Sequence, residues 1–158
     1  METSVNPYAA PSGDIIEDFL LVDGNVNIGK NKGQGQLLFT RTSIFALRSK
    51  NDAAMAFAMA GLIGLLINYI IKKYFTKKPE PSPHLTDPEI LNLPEKTRKR
   101  TEPNMLITKL PITPSLQVER TTLGVKITSG SEPPLIYQGM TNKSKISQFL
   151  TVLGIQVR

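Results

Sequence analysis

The chain has 158 residues, a formal net charge of +6, no cysteine and one histidine. That length accommodates one small domain with a core, and the absence of thiols excludes disulfide stapling, thiolate chemistry and the usual cysteine-based zinc sites. The one histidine, His84, follows Pro83 in a Pro-Glu-Pro-Ser-Pro-His stretch and reads as a solvated loop residue, so no metal, cofactor or catalytic residue is expected.

Residues 1–13 hold Pro7, Pro11 and small polar residues without periodicity and read as a disordered leader. They lack the basic start and apolar stretch of a secretory signal. Ile15 to Val22 fits a short helix or a strand equally well. From Asp23-Gly24 the pattern is β: Val26 and Ile28 alternate with Asn25 and Asn27, a glycine-rich loop runs from Gly29 to Gly35, and Leu37-Leu38-Phe39 and Ile44 to Leu47 flank a tight connection at Arg41-Thr42-Ser43. The glycine-rich loop fits neither GxGxxG nor GxxxxGK[ST], and a strand follows it, so a hairpin tip is the better reading than a phosphate cradle. Charge is segregated here: the charged residues up to Asp23 are all acidic, and those from Gly24 to Lys50 are all basic.

The run from Ala53 to Ile71 carries no charge. At about 1.5 Å rise per residue a helix of that length nearly covers the ~30 Å hydrocarbon core of a bilayer. Tyr69, Tyr74, Lys72 and Lys73 border its end as at a membrane interface. The expected membrane contacts are Met55, Phe57, Met59, Leu62, Ile63, Leu66, Tyr69 and Ile70. Ala60, Gly61, Gly64, Asn68 and Lys72 form a small-residue stripe that would equally serve a helix–helix contact. Lys30, Lys32, Arg41, Lys72 and Lys73 are the candidate contacts to anionic head groups.

Pro79, Pro81 and Pro83 predict an extended linker, and Thr86-Asp87-Pro88-Glu89 predicts a short capped helix to about Asn92. The cluster Lys96, Arg98, Lys99 and Arg100 reads as a solvated charged turn rather than a nucleic-acid patch, because it is short, lacks aromatics and lies beside Glu95 and Glu102. Strands are expected at Met105 to Leu110, around Leu116 and Val118, around Val125 and Ile127, and at Leu135 to Tyr137. Ile146, Phe149, Leu150 and Leu153 lie at i, i+3, i+4 and i+7, an amphipathic helix that Gly154 stops.

The segment Gly35-Gln36-Leu37-Leu38-Phe39-Thr40-Arg41-Thr42-Ser43-Ile44-Phe45-Ala46-Leu47 resembles the strand-turn-strand pattern of bacterial proteins in the pleckstrin-homology-like group, where an apolar, small-residue-rich insert often follows. The helix from Ile146 to Gly154 is similar to the one that plugs an end of that barrel. The resemblance implies a binding or scaffolding module, sometimes lipid-directed, rather than an enzyme. The expected fold is therefore α+β: a small antiparallel β-barrel or sheet formed by residues 14–50 and 104–158 and closed by a C-terminal amphipathic helix. Residues 51–78 would be a long apolar helix or helical hairpin, and residues 79–103 the linker, short helix and basic cluster.

The function expected is a non-catalytic, membrane-associated binding or scaffolding module on the cytoplasmic side, with membrane lipids or a membrane protein as partner and no nucleic acid. The alternative is a soluble oligomerising or ligand-binding domain that buries the apolar helix against a second copy. A small enzyme using Glu17, Asp18 or the Gly29–Gly35 loop is the least supported reading.

Overall fold

The computed structural model describes residues 17–49, 61, 63, 66, 69, 70, 73, 74 and 82–158. Strand β1 (Phe19–Ile28) leads through tight turns to β2 (Gln34–Thr40) and β3 (Ser43–Ser49). After the inserted stretch come a 3-10 turn (Pro83–Thr86), α1 (Pro88–Leu91), α2 (Glu95–Thr101), β4 (Asn104–Pro111), β5 (Gln117–Arg120), β6 (Gly124–Thr128), β7 (Leu135–Gln138) and α3 (Lys143–Val152). The ambiguous first element is a strand. Its alternation sends Leu20, Val22, Val26 and Ile28 to one core and Phe19 and Leu21 to another, which a helix could not do.

All seven strands belong to one antiparallel sheet in the order β4-β3-β2-β1-β7-β6-β5. Ser49 of β3 lies opposite Asn104 of β4, so residues on either side of the apolar run share the sheet. Register shifts between Ala46 and Leu47, leaving Ile107 as the extra residue of a bulge. Strand β1 serves both halves of the sheet: Phe19 to Asn25 pair with β2, and Asn25 to Ile28 pair with β7. Gly24 sits where the partner changes, and a Cβ there would come within 2.7 Å of the Gln138 carbonyl oxygen and the Tyr137 ring.

The sheet wraps its main core. Leu37, Phe39 and Ile44 meet Val125, Ile127 and Leu135, and α3 covers them with Ile146, Phe149 and Leu150. The Phe39 and Phe149 rings lie tilted at a centroid distance of 6.1 Å. Gly154, at φ 84°, ends α3, and the Ile155 N–H donates to the Leu150 carbonyl at 3.0 Å. The chain then runs beside β5, where Val157 bridges Val118 in parallel and the Arg158 N–H donates to the Val118 carbonyl.

A second core lies on the other face. Leu38, Phe45 and Leu47 point there and are covered by Ile90 and Leu93. Residues 82–103, expected to be linker, short helix and basic cluster, contain that short helix and form a cover for the sheet. His84 is corrected from solvated to buried, at 1% exposure, with Nε2 3.1 Å from the Thr101 carbonyl oxygen. Pro83, the last proline of the stretch read as exposed, starts a 3-10 turn, which brings His84 to the carbonyl of Thr101 at the end of α2. The basic cluster is likewise a helix, α2, whose last residue, Thr101, is fully buried.

The long apolar helix or helical hairpin predicted over 51–78, and its reading as a transmembrane segment, are corrected. Three α-helices are described from end to end, of 4, 7 and 10 residues, and among the described residues no helix is long and apolar enough to cross a membrane. A hydropathy run reports only consecutive apolar residues. It does not register that Ser49, before the run, and Asn104, after it, lie opposite one another in one sheet and so cannot be on opposite sides of a bilayer. Of the expected membrane contacts, Ile63, Leu66, Tyr69 and Ile70 are exposed, while Met55, Phe57, Met59 and Leu62 lie outside the described residues, as do Lys72 and the leader.

Candidate functional site

Antiparallel pairing sorts the expected anion contacts by end. β2 is 7 residues long, about 20 Å at ~3.4 Å per residue. Lys30 and Lys32 lie on the turn that precedes it, and Arg41 on the turn that follows. The structure therefore separates Arg41 from the two lysines. Lys30 and Lys32 are exposed on a tight turn in which the Ile28 N–H donates to the Asn31 carbonyl at 2.7 Å and Gly29 takes a φ of 54°. Arg41 instead pairs with Asp18 at 2.7 Å, with side chains 54% and 79% exposed, an arrangement worth at most about 1 kcal/mol.

β3 ends and β4 begins at the Lys30 and Lys32 end of the sheet, because Gly35 lies opposite Arg48 and Ser49 opposite Asn104. The inserted stretch is rooted there. Its described residues present large apolar side chains to solvent: Ile63 is 73% exposed, Leu66 59%, Tyr69 60%, Ile70 42% and Tyr74 70%. Lys73 holds its Nζ 5.7 Å from the ring centroids of both Tyr69 and Tyr74, within cation–π range. Burying a large apolar side chain yields roughly 1.5–3 kcal/mol, whereas a lysine near an anionic surface contributes about 1 kcal/mol. The apolar residues thus dominate what this surface can gain from a partner, and the lysines adjust it.

The opposite end carries a polar clamp that the sequence reading missed. Glu89 accepts hydrogen bonds from the hydroxyls of Thr40 at 2.6 Å, Thr42 at 3.0 Å and Ser43 at 3.0 Å. Lys109 donates to Asp87 at 2.8 Å, approaches Glu89 at 3.4 Å and sits 4.9 Å over the Phe45 ring. Burial alone would raise the Asp87 carboxyl, but the Lys109 hydrogen bond, the Glu89 backbone N–H and the Lys109 charge hold it below its usual range. For Glu89, too, burial acts upward and is outweighed by the three hydroxyls and Lys109, which hold it low. Lys109 is raised in turn, first by its hydrogen bond to Asp87.

Asp87 also caps α1, its side chain accepting from the Glu89 N–H at 2.9 Å, with Pro88 just inside the helix. The sequence shows that cap and stops there. The hydroxyl-rich turn Thr40-Arg41-Thr42-Ser43 is the signal that could have led to Glu89. A second polar chain fastens the same cover nearer the lysine end: the Gln36 amide donates to Asp23 at 2.8 Å, Asn104 donates to Gln36 at 2.6 Å, and Arg100 donates to Asp23 at 2.7 Å.

These networks are positioned for holding residues 82–103 on the sheet. Among the described residues no group of three or more His, Asp or Glu could hold a metal ion. Comparison with protein-family models, with curated proteins and with solved structures finds no match to this chain.

Proposed function

We propose that the protein is a non-catalytic, membrane-associated binding or scaffolding module of pleckstrin-homology-like build, which meets a lipid surface with the stretch inserted between β3 and β4. The observation that carries this reading is the exposure of Ile63, Leu66, Tyr69, Ile70 and Tyr74 in one short stretch, with Lys73 among them. An exposed apolar group bordered by lysine and tyrosine suits the boundary between head groups and acyl chains. Rooting of that stretch at the end that carries Lys30 and Lys32 supports the same orientation, with Lys30, Lys32 and Lys73 exposed for contact with anionic head groups and Lys72 next to Lys73 in sequence. The α3 helix lying over the core of a short-stranded meander supports the pleckstrin-homology-like reading.

Vesicle flotation of the full chain tests it. The chain should rise with phosphatidylcholine vesicles and more strongly when phosphatidylserine is included. Replacing Ile63, Leu66 and Ile70 together with Ser should abolish flotation on both, whereas Lys30→Gln with Lys32→Gln should remove only the phosphatidylserine increment. A full chain that stays at the bottom of the gradient and forms a discrete oligomer would replace this reading by the self-association alternative.

A further inference from the structure

Arg98 is held at the sheet cover without a counter-ion among the described residues. In the same helix Lys99 pairs with Glu95 at 2.6 Å and Arg100 pairs with Asp23 at 2.7 Å, whereas Arg98 makes no ion pair with any described residue. It is half-buried, and its Nε is sealed from solvent without a hydrogen-bond acceptor. A guanidinium keeps its charge at any physiological pH, and a buried donor left without an acceptor is destabilising.

The surroundings specify which anion. Arg98 lines a cavity of about 250 Å³ that opens to solvent. Leu85, Ile90 and Leu91 form its apolar wall, and Leu91 is 51% exposed at the rim. Glu95 and Lys99 also line it but neutralise one another, which leaves Glu102 as the rival carboxylate, and Glu102 is not paired with Arg98. With each water's share of liquid volume near 30 Å³, the cavity holds several waters' worth of ligand. A planar, forked guanidinium matches a carboxylate in a two-point contact, and the leucines match a short hydrocarbon chain.

We propose that this cavity is a binding site for a small apolar carboxylate, with the carboxylate on Arg98 and the carbon chain against Leu85 and Leu91. The site lies on residues 82–103, apart from the exposed residues of the inserted stretch, and stands or falls independently of membrane association.

The test is a titration of the full-length, isotope-labelled chain with sodium hexanoate, followed by NMR at the Arg98 Nε–Hε and at the amides of Leu85, Leu91 and Lys99. Saturable shifts at these positions are expected, with hexanamide binding at least tenfold more weakly and Arg98→Gln losing tenfold or more. Glu102→Gln, which removes the rival carboxylate, should tighten hexanoate binding severalfold and keeps the proposal testable if Arg98→Gln does not fold. Shifts that rise linearly without saturation, that are the same for hexanamide, or that fall only on residues 61–74 would overturn it.

Discussion

Ser49 and Asn104 sit opposite one another at the end of the β3–β4 pair, although the first precedes the apolar run and the second follows it. A single crossing of a bilayer between them would place these two residues on opposite sides, where they could not share a ladder. The stretch between β3 and β4 is therefore an excursion that leaves and re-enters one end of a sheet. That end also carries Lys30 and Lys32 on the turn before β2.

Shared pairing predicts shared folding. The fragment 82–158 contains β4, whose one sheet neighbour among the described residues is β3, and β7, which pairs with β1. Expressed alone it should give the narrow amide dispersion of an unfolded chain. Adding a peptide covering residues 17–49 should restore dispersed signals, and a cooperatively unfolding fragment on its own would contradict the single sheet.

Phe149→Ala should cost about 3–5 kcal/mol by urea denaturation, a large share of a small domain's stability. Phe149 is only 9% exposed and stacks on Phe39 across the core. A double-mutant cycle with Phe39→Ala should show a coupling of roughly 0.5–1.5 kcal/mol beyond additivity.

How much of this is legible in the sequence follows from the type of signal. Alternating residues such as Val125 and Ile127, and the i, i+3, i+4 spacing of Ile146, Phe149 and Leu150, are local patterns, and they mark β6 and α3 in the sequence. Strand order, the bulge at Ile107 and the pairing of β1 with both β2 and β7 depend on contacts between distant residues, and no local pattern encodes them. The burial of His84, and the helix formed by the basic cluster, whose Lys96, Lys99 and Arg100 are solvated as expected, escape the sequence for the same reason. Proline content and charge describe residues 82–103 as exposed, but Ile90 and Leu93 are what decide its position, and two apolar residues among many polar ones make a weak periodic signal. The Glu89 clamp joins residues far apart in sequence, so only its local half, the Asp87 cap, could be read.

Glu89→Ala should destabilise the domain by about 1–3 kcal/mol, because the Thr40 and Ser43 hydroxyls are buried and lose their carboxylate acceptor. The effect should depend on pH. Glu89 and Asp87 both titrate below their usual values in the folded state, so their ionised forms stabilise it. That contribution is complete at neutral pH, above the unfolded values near 4, and is lost as pH falls through the lowered folded-state values. Urea midpoints measured across this range should show the advantage of the natural chain over Glu89→Gln shrinking under acid.

Gly124→Ala should be among the most damaging small substitutions. A Cβ at Gly124 would collide with the Tyr137 backbone carbonyl oxygen, and because Gly124 lies opposite Gln138 as the end pair of β6 and β7, relief requires the paired backbone itself to shift. A loss at the upper end of roughly 1–3 kcal/mol is expected by thermal or urea unfolding.

The most direct measurement replaces residues 50–81 by a short Gly/Ser linker between Ser49 and Ser82 and follows both folding and vesicle flotation. Cooperative unfolding close to that of the full chain, together with loss of flotation on vesicles with and without phosphatidylserine, is the result expected of a sheet that folds without its insert and meets lipid through it. A replaced chain that still floats as the full chain does, or that fails to fold, would contradict that division of labour.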